Sequence, residues 1–177
     1  MRALAILMLT ALPFAAFAAG SDDTQPPTPT QTSEDCKDGE VWDEKTSLCV
    51  KPESTGLNDD TRFRAVRELA YAGRPEDALR VLASMTEGDT DRVLTYLGFA
   101  NRKAGRLEDG LAYYARALVQ NPDNIQARSY LGQAYVEMNE LVLASAELDQ
   151  IRARGGAGSW AEITLAQALT TGQTSNY

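Results

Sequence analysis

The sequence predicts an all-α protein, a solenoid of antiparallel helix pairs. Two observations carry this. Residue identities echo at a spacing of 34, and apolar residues recur at helical spacing between regular helix stops. Leu97-Gly98 returns as Leu131-Gly132, Tyr96 as Tyr130 and Ala100 as Ala134. One step further on, the pair lands on Leu165-Ala166. One step back it lands on nothing similar until two residues are removed. Gly73-Arg74 then matches Gly105-Arg106, so the first repeat is shortened around Glu87 to Asp89.

The elements follow in order over residues 58–171. Asn58, Asp59 and Asp60 supply a cap and first-turn acids for a helix built on Phe63, Val66, Leu69 and Ala70. Gly73 stops it. Pro75-Glu76-Asp77 starts the second helix, with proline at its favoured first-turn place. The third helix starts at Asp89 or Thr90 and is stopped by Gly105. Leu107 to Gln120 is the fourth, ended by Asn121-Pro122. Asp123 is expected to cap the fifth, and Asn139 breaks it in a left-handed conformation. The sixth runs from Glu140 to Ala153 and ends in Gly155-Gly156-Ala157-Gly158. Ser159 with Glu162 forms a capping box for a seventh. A helix pair cannot bury its apolar face alone, so the last helix is expected to cap the stack, with Trp160, Ile163 and Leu165 covering the sixth. Residues 172–177 read as a disordered tail.

The region before residue 58 has a different character. Met1-Arg2, an apolar stretch over 3–17 and Ala16-Phe17-Ala18 form a secretory leader over residues 1–18. No later stretch is apolar enough to cross a membrane, so the mature chain is expected to be soluble, periplasmic or secreted. Residues 19–35, rich in Pro, Thr and acids, read as a disordered linker. Residues 36–50 read as a hairpin closed by a Cys36–Cys49 disulfide, with Trp42 over the bridge; 51–57 is a second linker. Closing so small a loop contributes roughly 3 kcal/mol in the chain-entropy view. An exposed Trp42 would offer a surface for stacking on a sugar.

Charge is divided along the chain. The net charge is -8, and residues 19–60 hold eleven acids against Lys37, Lys45 and Lys51. Beyond residue 60 the balance is near neutral, and Lys103 is the single lysine among arginines. With no basic block, nucleic acid is not an expected partner. There is no histidine, which removes Ser-His-Asp triads, His-ligated zinc and the commonest general base. No glycine-rich phosphate loop is present, and neither a metal nor a cofactor is expected. Glu76-Asp77 and Glu108-Asp109 sit at helix starts, where the helix dipole accounts for them. An enzyme is therefore not expected. A hydrolase working through carboxylates alone is the remote alternative.

Within each pair, glycine lets two helices cross closely while large residues fill the flanks. The packing set is Leu97, Gly98, Tyr114 and Ala117, then Leu131, Gly132, Tyr135, Ala144 and Leu148. Leu131-Gly132-x-x-Tyr135, Ala144-x-x-x-Leu148, Leu94-x-x-Leu97-Gly98, Gly110-x-x-x-Tyr114 and Pro122 together resemble the tetratricopeptide repeat family. The leading Trp of that pattern is Leu94 in one repeat and Arg128 in another, and the third repeat ends in glycines in place of proline. The resemblance implies about three repeats and ligand binding on the first helix of each pair. That face carries Phe63, Arg67 and Ala70, then Arg92, Thr95, Phe99 and Arg102, then Gln126, Ser129, Gln133 and Val136. Phe99 between Arg67 and Arg102 would suit a peptide with an apolar anchor and a carboxylate. The expected function is thus a non-enzymatic exported adaptor for a protein or peptide partner in an envelope assembly process. Attachment to cell wall or glycan through the Cys36–Cys49 module is the alternative.

If the leader is read correctly, N-terminal sequencing of the exported protein begins at Ala19 or Gly20. An N-terminus at Met1 in that fraction would reject the cleavage.

Overall fold

A computed structural model describes residues 25–174. The leader, residues 19–24 of the first linker and the last three residues of the tail lie outside the described residues. A short helix α1 (Gln31–Glu34) and two strands, β1 (Val41–Asp43) and β2 (Leu48–Val50), precede seven longer helices. These are α2 (Asp59–Tyr71), α3 (Pro75–Ala83), α4 (Asp91–Lys103), α5 (Leu107–Gln120), α6 (Ile125–Glu137), α7 (Leu141–Ala153) and α8 (Trp160–Thr171). They pack as antiparallel pairs, α2 with α3, α4 with α5 and α6 with α7, and α8 lies across α6 and α7.

The repeat period is visible in the helix starts. α4 and α6 begin 34 residues apart, as do α5 and α7, whereas α2 and α4 begin 32 apart. The turn inside each pair uses the same device, one residue at positive φ: Gly73, Gly105 and Asn139. Asn124 caps α6, its side-chain oxygen accepting from the Ala127 amide at 2.8 Å; the expected cap, Asp123, lies one residue outside. The Asn121 side chain already accepts from the Asp123 amide, which ties up the turn before the helix begins.

The close crossing of α4 and α5 depends on a pair of glycines. A Cβ at Gly98 would lie 2.5 Å from the Tyr114 ring and 3.1 Å from the Gly110 carbonyl, and one at Gly110 would lie 3.0 Å from the Gly98 carbonyl. Tyr114 and Ala117 are fully buried as a result. Gly132 differs from its counterpart. Expected to admit α7, it instead admits α8, whose Leu165 side chain fills the space a Cβ would take. Leu165, expected with Trp160 and Ile163 to cover α7, is completely buried; Ile163 is half exposed and faces outward, and Ala161, Thr164 and Ala168 share the contact with Leu165.

The segments read as linkers are docked on the array. Glu68 of α2, itself buried, accepts from the Thr30 amide at 2.7 Å, the Thr30 hydroxyl at 2.8 Å and the Ser33 amide at 2.9 Å, and so holds the start of α1. Arg74 donates to the Ser33 and Cys36 carbonyls, and Arg62 to the Pro52 and Ser54 carbonyls. Residues 25–35 therefore depart from the expected disorder, and the 51–57 linker is docked in the same way. Their composition gives little apolar mass, and they are fixed by hydrogen bonds to buried and half-buried charged side chains instead. The Cys36–Cys49 disulfide is formed, with Trp42 opposite Cys49 in the antiparallel ladder. Val41 and Leu57 join the apolar core of α2 and α3, so the hairpin closes the N-terminal end of the stack.

Replacing Gly98 by Ala sets overpacking against a gain in helix propensity. The first is about 1–3 kcal/mol and the second about 1 kcal/mol, so net destabilisation is expected. Urea denaturation checks this, and unchanged or raised stability would contradict the close crossing.

Candidate functional site

α2, α4 and α6 lie side by side, so the face they share is the natural place for a site. A helix in the middle of such a layer meets a neighbour on each flank as well as its own pair partner. This constraint overturns most of the expected groove. Phe63, Arg67, Ala70, Thr95, Phe99, Arg102, Ser129, Gln133 and Val136 are all buried; of the set only Arg92 and Gln126 are partly open. Phe99, expected as an exposed anchor, is completely enclosed. Its ring stacks on Tyr71 at 5.9 Å and meets Tyr130 at 4.6 Å and Tyr96 at 6.1 Å. Ser129 is covered by α8, its hydroxyl donating to the Ala161 carbonyl at 2.8 Å.

The buried part of this face is a polar and aromatic network. The Tyr71 and Tyr130 hydroxyls are 2.8 Å apart, and Arg67 Nε donates to the Tyr96 hydroxyl at 3.2 Å. Arg67 also donates to the Gln25 carbonyl, which brings the proline-rich arm onto α2. Arg102 pairs with Glu137 at 2.5 Å and lies over the Phe99 ring. Lys103 approaches the same ring at 5.8 Å. Burial disfavours the charged amine, and the adjacent Arg102 charge adds to this, so its pKa falls from 10.5 to about 8.

The open part lies toward the N-terminal ends of α4 and α6. A cleft of about 330 Å³ has Phe63 and Tyr96 in its wall, with Arg92, Thr95, Asn124 and Gln126 around them. A shallower recess of about 410 Å³ shares Phe63 and Arg92 and extends past Asp60 and Arg64, so the two form one path across α2, α4 and α6. The Phe63 and Tyr96 rings meet edge to face at 5.3 Å. Arg92 is held in place over Phe63, 4.7 Å from its centroid, by Glu87 and by Asp60 at 3.0 Å. The Glu87 carboxylate is the main cause of its raised pKa, which keeps the guanidinium charged.

Side-chain amides finish the wall. Asn124 Nδ2 donates to Asp91 at 3.0 Å and to the Thr95 hydroxyl at 3.1 Å, while Asn121 donates to the same Asp91 oxygen. Gln126 Nε2 is shielded from solvent yet meets no acceptor. Of the expected groove, Phe63, Arg92, Thr95 and Gln126 reach this cleft. Tyr96, Asn121 and Asn124 were not foreseen in it. Tyr96 read only as part of the 34-residue echo, and Asn121-Pro122 only as a helix stop.

The chemistry offered is recognition: a partly aromatic wall, a fixed cation, fixed amides and one unanswered donor. Among the described residues no group of three or more His, Cys, Asp or Glu could hold a metal ion, and no helix is long and apolar enough to cross a membrane. Trp42 is half-buried and lines a separate cleft of about 200 Å³ with Glu44, Thr61 and Arg64, between the hairpin and α2.

Residues 102–169, from the end of α4 into α8, match a family model described as tetratricopeptide repeat. No curated protein and no solved structure matches the chain.

The Lys103 amine should titrate with a midpoint near 8. Its folded pKa lies below the unfolded value, so its burial penalty is present below pH 8 and is relieved as pH rises toward 10.5. NMR of [13C]-methylated lysine checks this directly; a midpoint near 10.5 would show that the amine is solvated.

Proposed function

We propose that this chain, a tetratricopeptide repeat protein, is a non-enzymatic adaptor that works outside the cytoplasm and holds a peptide segment of a protein partner. Tetratricopeptide repeats generally mediate protein–protein interaction. The site is the cleft at the N-terminal ends of α4 and α6, and its extension over Phe63 and Arg92 gives room for an extended chain. The observation that carries this reading is the shielded Gln126 amide with no acceptor, set in the wall beside the ordered Asn124 amide. A buried donor without a partner is costly, and a peptide carbonyl would satisfy it. Arg92 over Phe63 presents a fixed cation on an aromatic surface, suited to a carboxylate-bearing segment with an apolar side chain. The disulfide and the leader pattern support a periplasmic or secreted setting, and an envelope assembly process as the context.

The test is site-specific photocrosslinking in cells. A photoreactive residue at 126 should trap a partner that one at the outward-facing Val119 does not. Gln126→Ala should weaken binding of the trapped segment by about 2- to 10-fold, the worth of one hydrogen bond. The melting temperature should stay within about 1 °C, because the amide nitrogen makes no hydrogen bond in the fold. Equal trapping from both positions would remove the cleft as the site.

A further inference from the structure

The proline-rich arm reaches the α2 end of the path that extends the cleft. Residues 25–30 run beside α2 with no helix or strand of their own. Thr30 is fixed by its amide and hydroxyl, which both donate to Glu68, and its side chain caps α1. At the other end the Gln25 carbonyl accepts from Arg67. Between them stand Pro26, Pro27, Thr28 and Pro29. The prolines have no N–H to donate, and none of these residues is fully buried. They bound a recess of about 420 Å³, lined on its other side by Arg64, Arg67 and Glu68 of α2. The arm is thus held by polar contacts at its two ends, with little apolar burial to keep it down.

This recess is continuous with the site. Arg64 belongs to it and also to the recess over Phe63 and Arg92. Arg67, which holds Gln25, also donates to the Tyr96 hydroxyl, and Tyr96 stands in the cleft wall. A segment running from Gln126 across Phe63 meets the arm at Arg64. Charge decides what would replace the arm there. Arg64 and Arg67 lie one helical turn apart. The carboxylate between them and the arm, Glu68, is already engaged by Thr30 and Ser33, and Asp60 pairs with Arg92. Arg64 is exposed, donates to the Thr61 hydroxyl at 3.3 Å and meets no carboxylate among the described residues, Glu44 of the neighbouring cleft included.

We propose that residues 25–29 are a strap over the α2 end of the peptide site, hinged at Thr30 and latched on Arg67, which an extended acidic segment of the partner displaces. The inference rests on the cleft reading above and adds a resident competitor to it. Once the strap lifts, a main-chain carbonyl of the partner takes the place of Gln25 on Arg67, and a side-chain carboxylate pairs with Arg64. The prolines restrict the arm when it is detached, which favours the closed state while no partner is present.

The test uses the exported chain with a photoreactive residue at 126, in three forms. One is complete, one lacks residues 21–29, and one is complete but carries Pro26→Gly, Pro27→Gly and Pro29→Gly. The deletion keeps Thr30 and every element after it, and the glycines raise the freedom of the detached strap. Both variants should melt within about 3 °C of the parent; where the deletion does not, the glycine form decides. The yield of crosslinked partner should rise about threefold or more in either variant. Where the parent traps a partner, unchanged yield overturns the proposal, and so does reduced yield, which would make the arm part of the partner's seat. The second probe is a labelled synthetic peptide of residues 20–31 of this chain, which carries Asp22 and Asp23, titrated by NMR. A short tether gives an effective concentration on the order of 1 mM. The peptide should therefore bind the deleted chain with a Kd of about 1 mM or tighter, and the complete chain about tenfold more weakly. No binding to the deleted chain, or equal binding to both, overturns the proposal. If position 126 traps nothing in any form, the cleft reading fails and the peptide alone decides the strap.

Discussion

A pair of helices has one face for its partner and another that no partner covers. Everything else in this molecule answers that constraint. Lateral neighbours cover the middle pair, and the two ends of the stack need separate solutions. At the C-terminal end α8 sets Leu165 against Gly132 and buries Ala161, Thr164 and Ala168. At the N-terminal end a short disulfide-closed hairpin contributes Val41, and the segment after it Leu57, to the core of α2 and α3. Irregular backbone against a core brings carbonyls that need donors. Arginine supplies many of them: Arg62 reaches Pro52 and Ser54, Arg74 reaches Ser33 and Cys36, and Arg128 and Arg154 both reach Pro122. The preference for arginine over lysine beyond residue 60 thus has a structural role, because a planar fork can hold two carbonyls that an ammonium would hold less definitely.

The same constraint explains what was legible in the sequence. Repetition is written in residue identity, so the period, the two-residue shortening of the first repeat and the Gly98 crossing could all be read directly. The match over residues 102–169 runs from the last residues of α4 through α5, α6 and α7 into α8. Lateral packing is not written that way. Reading one apolar stripe per helix leaves Phe99 on an apparent outer face, whereas α4 buries nine of its residues, among them Thr95, Asn101 and Arg102. The expected groove therefore became mostly interior, and the open site moved to the helix N-termini. The docked arm escaped notice for a different reason. Pro and Thr carry little burial energy, and the group that holds the start of α1, Glu68, lies 38 residues from Thr30.

Site and scaffold share side chains here. Asn124 caps α6 and orders the cleft wall, Phe63 belongs to the core and underlies Arg92, and Tyr96 touches both the cleft and Arg67. A ligand in the cleft would therefore rest on a surface whose geometry is set by the fold before binding, which limits the ordering cost of association.

The two ends of the stack are closed by unlike means, and this gives the array a direction. One terminus is stitched by a covalent bond and by hydrogen bonds spanning nearly forty residues; the other is held by a single helix whose last turn stops at Gly172 in a left-handed conformation. In a quasi-one-dimensional array each unit is steadied by its neighbours, so order is lost first where a unit has the fewest. Fraying should start at α8 and move inward, opening Ser129, Gln133 and Leu131 before the α2–α3 pair is disturbed. The molecule is in this sense a ratchet with one anchored end, able to yield at its C-terminal edge while its N-terminal repeat keeps its shape.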